Sequence, residues 1–179
     1  MIGLLDACAL LLGVAGVAKM LRPAPTVQAA RRLQLTGVDR FTGAAAARSL
    51  GAVEIAVALA VLLAGGARAA AALAVAYLLL TAVAVRLLRV APDSDCGCFG
   101  TSAEPVSRLH VVVNAACALV AGIAVVVPQP SLPVALAGTG AATGASLVVL
   151  IGVLAALLGA LMTAMPALTS ARAKVATPR

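Results

Sequence analysis

Five long apolar runs separated by short polar breaks constrain this chain more than any other feature of its sequence. They cover roughly residues 2–18, 49–64, 69–85, 109–127 and 146–165. Each is close to the length a helix needs to cross the hydrocarbon of a bilayer, about 20 residues. Lipid offers the backbone no water, so a spanning segment is either a helix or part of a closed barrel. The runs lack the period-two alternation of barrel strands. The expected fold is therefore all-α, a polytopic membrane helix bundle. Composition agrees: 63% of the 179 residues are hydrophobic and 11% charged, while two Phe, one Tyr and no Trp do not make an aromatic soluble core.

The net charge of +7 does not point to nucleic acid. The basic residues stand singly or in pairs in the loops between runs, where they act as topology signals. Lys19, Arg22, Arg31, Arg32, Arg40 and Arg48 fall in the first loop, Arg86, Arg89 and Arg108 in the third, and Arg172, Lys174 and Arg179 in the tail. With five spans these twelve of the 13 basic residues share one face, and only Arg68 lies opposite. The charge bias predicts an outside N-terminus, with the third loop and the C-terminus cytoplasmic, in a multi-pass protein of the cell membrane. The start of the chain has no basic segment ahead of its apolar run, so that run is expected to stay as a span.

Lys19, Arg22 and the Pro23-Ala24-Pro25 break end the first run. Thr26 is the expected N-cap of a short interfacial helix over 27–35, with Arg31 and Arg32 on its polar side. Residues 65–68, Gly-Gly-Ala-Arg, read as a tight turn, and the prolines at 128, 130 and 133 stop the fourth run. Three units result: a four-helix membrane domain over 1–127, a connecting loop with a fifth transmembrane helix over 128–166, and a basic cytoplasmic tail over 167–179.

Chemistry concentrates in the third loop. Asp95-Cys96-Gly97-Cys98-Phe99-Gly100 sets two thiols one residue apart, with Asp93 just before them. Such a pair can form a strained and therefore oxidising disulfide, hold a soft metal as part of a larger ligand set, or be an inert turn. His110, Asn114 and Cys117 follow at i, i+4 and i+7, on one face of the fourth span. His110 or Arg108 can stabilise a thiolate, and His110 can equally cap or anchor its helix. Glu54 is an ionisable group inside the second span, and Lys19 at matching depth is its expected ion-pair partner. Cys8, placed towards the end remote from the loop, and Cys117 both read first as small apolar residues of a helix, and Cys117 is the better secondary candidate because it shares a face with His110. Tyr77 reads as packing.

Cys96-Gly97-Cys98-Phe99-Gly100 followed by His110-Val111-Val112-Val113-Asn114, with Glu54 and Lys19, resembles the MauE family of methylamine-utilisation proteins, itself similar to DoxX-like four-helix membrane proteins. The likeness covers about residues 1–127, and the fifth span is an addition to it. It implies a maturation factor for the methylamine dehydrogenase beta subunit or another client, working with a thioredoxin-like partner as a thiol–disulfide oxidoreductase. Cys96, Cys98, His110 and Asn114 would carry the reaction, and a membrane quinone could accept the electrons. One Tyr and two Phe announce no quinone pocket. Dehydrogenase maturation is periplasmic, whereas the charge bias turns the cysteine loop inward. The alternative from the binding class is a small transporter or metal-handling protein that uses the two thiols as soft ligands.

Overall fold

The computed structural model describes residues 2–33, 43–92 and 106–176, with side chains described up to residue 163. Its elements are α1 (Ile2–Leu21), α2 (Ala24–Arg32), α3 (Ala44–Leu59), α4 (Gly66–Val90), α5 (Arg108–Val126), α6 (Leu132–Ala137) and α7 (Ala141–Ala176). Helix α3 runs on through a π turn, Ala60–Ala64. Among the described residues, five helices are long and apolar enough to cross a membrane: α1, α3 with its π turn, α4, α5 and the first part of α7, Ala141–Thr163. The all-α bundle expected from the sequence is what forms.

Helix α1 packs chiefly against α3, and α4 against α5; α1 also touches α5, and α7 lies along α1. Helices α3 and α4 are neighbours in sequence but pack only sparsely. Glycine explains the closest of these contacts. A Cβ on Gly16 would lie 2.6 Å from the Gly51 carbonyl oxygen, and one on Gly51 would lie 2.6 Å from the Gly16 carbonyl oxygen. Small residues let two backbones approach in lipid, where packing rather than hydrophobicity joins helices.

The connections differ from the sequence expectation in instructive ways. Helix α2 starts at Ala24, two residues before Thr26, and Thr26 does not cap it. Pro23 takes the N-cap position, with a further proline in the first turn. Proline is tolerated there because the first-turn N–H groups have no helical acceptor. The helix lays Ala29 and the C-cap residue Leu33 against Ala84, Leu87 and Val106, and leaves Arg31 and Arg32 exposed. The expected turn at 65–68 contracts to Gly65 (φ +64°) with Gly66 (φ +79°) opening α4, so Ala67 and Arg68 are already helical. A Cβ on Gly65 would meet the Ser131 nitrogen at 2.7 Å, and the Gly66 N–H donates to Gln129 O at 3.1 Å. The α3–α4 corner thus holds the strand of prolines after α5. The short α6 forms where only a connecting stretch was expected, because Ser131 and a proline in its first turn suit a helix start. Helix α7 is longer at both ends than the apolar run predicts.

Candidate functional site

Beside the glycine crossing, Lys19 Nζ donates to Glu54 Oε2 at 2.7 Å. Both side chains are almost wholly buried, 2% and 4% exposed. The pairing follows from position: the two helices run antiparallel, Lys19 packs beside Gly51 and Glu54 beside Gly16, and the long lysine side chain reaches across the glycine contact to the carboxylate. Glu54 Oε1 is buried and has no hydrogen-bond partner among the described residues. Its side chain also lines a groove of 490 Å³ between α3 and α4, otherwise walled by apolar residues such as Leu50, Val53, Leu79 and Val83.

Helix α5 begins with a capping box. The Ser107 N–H donates to His110 Nδ1 at 3.2 Å, and the Ser107 hydroxyl lies 2.9 Å from the same nitrogen. A backbone N–H can only donate, so Nδ1 carries no proton and the ring is the neutral Nε2–H tautomer. This changes the chemistry expected of His110. An imidazolium stabilising a nearby thiolate does not fit the cap. The ring sits at the third helical position and closes the helix start. Arg108 is exposed on the first turn.

His110, Asn114 and Cys117 do share one inward face, as their spacing requires, and all three are buried. Asn114 Nδ2 has no partner among the described residues. It borders a cavity of 10 Å³ shared with Leu12, Ala15, Tyr77, Leu80 and Met162, room for about one water. Cys96 and Cys98, with Asp93 and Asp95, lie outside the described residues, as does Arg40.

Two residues gain a role that the sequence did not suggest. The Tyr77 hydroxyl donates to the Cys8 carbonyl oxygen at 2.7 Å, so Tyr77 is more than packing. Cys8 is not remote: its carbonyl accepts that bond, and its buried side chain belongs to the same core cluster as Tyr77 and Cys117. The available signal was register. Cys8, Leu12, Ala15 and Lys19 follow the 4-3-4 spacing of a single helical stripe, and all four are buried. The sole tyrosine in an apolar span was a second clue, since its hydroxyl must find a partner in lipid. Asp6, on the same helix, is buried with Oδ2 unpartnered among the described residues.

No curated protein and no solved structure matches the chain. The family described as methylamine utilisation protein MauE matches residues 3–128, a stretch that takes in α1 to α5 and leaves out α6 and α7. With five membrane-length helices among the described residues, and with that match over well more than half its length, the chain is a multi-pass membrane protein that belongs to the MauE family.

Proposed function

We propose that this protein is a membrane thiol–disulfide oxidoreductase that serves the maturation of a client protein, within methylamine utilisation or an equivalent process. The observation that carries the reading is the position of the Cys96-Gly97-Cys98 pair: it leads into the capped start of α5, whose inward face presents His110, Asn114 and Cys117. Family membership supports the process, since the family's description is methylamine utilisation. The beta subunit of methylamine dehydrogenase is the client that the family suggests.

In this reading a Cys96–Cys98 disulfide meets a dithiol on a thioredoxin-like partner. A partner thiolate attacks one sulfur and forms a mixed disulfide. The partner's second thiol then displaces it, leaving Cys96 and Cys98 as thiols and the partner oxidised. The charge distribution favours this exchange on the cytoplasmic face. His110 acts as a positioning residue by fixing the first turn of α5, whose N-terminal dipole favours a thiolate nearby.

Trapping tests the reading. A Cys98→Ser or Cys96→Ser variant is expressed with its thioredoxin-fold partner, and free thiols are blocked by acid quench. One of the two variants should accumulate a reducible heterodimer. Absence of the heterodimer in both, together with unchanged alkylation of Cys96 and Cys98 with and without reductant, would leave the pair inert.

A further inference from the structure

The two best-packed helix pairs are α1 with α3 and α4 with α5, and the seam between α3 and α4 is only loosely closed. Along that seam runs the 490 Å³ groove that Glu54 lines. The sequence makes room for it. Helix α4 contributes Ala71, Ala72 and Ala76 to its wall, side chains too small to fill the space that α3 leaves. Leu50, Val53, Val75 and Leu79 also line it and are exposed, on helices of membrane-spanning length. The mouth therefore opens on lipid rather than on water, and the volume is that of a small-molecule site.

Glu54, 3% exposed, is the one polar side chain among the residues that line the groove. Lys19 holds its Oε2 at 2.7 Å, while Oε1 is buried and has no partner among the described residues. A buried acceptor left without a donor is costly. The last torsion of a glutamate is soft, so Oε1 can turn into the groove while Oε2 keeps the lysine. From this juxtaposition we propose that the α3–α4 groove binds a long-chain alcohol of the membrane, whose hydroxyl donates to Glu54 Oε1. The proposal does not depend on the reading of Cys96 and Cys98.

The chemistry of the groove selects the ligand. A carboxylate oxygen accepts and cannot donate, so the ligand must donate. Lys19 already balances the charge of Glu54. An ammonium head would bring an uncompensated cation into a low-dielectric site, and a phosphate head would set a second anion against the carboxylate. A sugar or a quinol carries further hydroxyls, and no second polar side chain lines the groove among the described residues to pair with them. One hydroxyl on an apolar chain leaves nothing unpaired. Length agrees, since the α4 wall runs from Ala71 to Val83, about 18 Å of helix, which suits a chain lying along the bundle. Depth agrees too. Glu54 lies about 9 Å along α3 from the exposed Arg48, so a hydroxyl that descends to it leaves water behind and needs the acceptor placed there.

The test uses the full chain in lipid nanodiscs with a hexadecanol that carries a diazirine in mid-chain. Light fixes the bound probe, and digestion maps it. Labelling should concentrate on the groove residues of α3 and α4, and should fall when tetradecanol is added but not when hexadecane or hexadecylamine is. Combining Lys19→Met with Glu54→Met removes the acceptor without stranding a charge. That variant should bind the probe about tenfold more weakly, the weight of one hydrogen bond to a charged group. Ala72→Leu keeps the ion pair, fills the groove from its exposed side, and should also weaken binding. If labelling spreads evenly over the lipid-facing helices, or if neither variant lowers it, the groove holds only bulk acyl chains and the proposal is overturned. Stronger competition by decylubiquinol than by tetradecanol would overturn the choice of ligand.

Discussion

Gly16 and Gly51 face each other so closely that a methyl group on either would lie 2.6 Å from the other's carbonyl oxygen. Neither backbone can move aside without parting α1 from α3. Gly16→Ala should therefore destabilise the bundle by about 1–3 kcal/mol, the range for overpacking a well-fitted contact. Gly152→Ala is the control, since nothing lies within 4 Å of its added Cβ. Thermal unfolding in one detergent should show a lowered midpoint for the first variant alone. Equal midpoints would mean that the helices part without loss.

The Lys19–Glu54 pair should behave as a buried ion pair. Removing one partner strands the other, a loss of about 3–5 kcal/mol in a low-dielectric interior. Glu54→Gln should be milder than Glu54→Ala, because a neutral polar group remains for Lys19 to contact. Adding Lys19→Met should soften either. A double-mutant cycle of unfolding free energies checks this, and additive losses would argue against direct coupling.

Ser107 and His110 make one cap. Ser107→Ala should cost about 1 kcal/mol, typical of a lost N-cap side chain. His110→Ala should cost a similar amount, and the double variant little more. Both should slow iodoacetamide alkylation of the Cys96–Cys98 pair alike, since each acts through the start of α5. An effect confined to His110→Ala would show that the ring acts on a thiol directly.

The twelve-to-one distribution of basic residues predicts that the cysteine loop faces the cytoplasm. A membrane-impermeant maleimide applied to intact cells should leave reduced Cys96 and Cys98 unlabelled until the membrane is opened. Labelling of sealed cells would reverse the orientation.

Hydropathy made the five spans legible, because the cost of leaving a backbone group unsatisfied in lipid acts on every residue of a run. It said less about where helices end. The true start of α2 depends on proline filling first-turn positions, and α6 and the first turns of α7 arise in a stretch whose composition carries no period. Within the site, Lys19 and Glu54 were readable because two opposite charges at one depth must find each other. The meeting of Cys8, Tyr77 and Cys117 was not. It depends on how α1, α4 and α5 are rotated about their axes, and apolar faces on all sides leave that rotation unmarked. Only the stripe of Cys8, Leu12, Ala15 and Lys19 recorded it, and that needed the position of Lys19 to be interpreted.

Helix α7 has 36 residues, about 54 Å at 1.5 Å per residue, against about 30 Å of hydrocarbon. It continues without a break past its apolar part, through residues 164–176. Pro166 falls just past the apolar part, and because proline has no N–H it removes one backbone bond and makes that point the helix's place to bend. Its inner arm rests, through Ile151 and Ala155, on Ala7 of α1, the residue next to Cys8. Force on the outer arm would be taken up as bending at Pro166 before it reached Ala7 and the neighbouring Cys8.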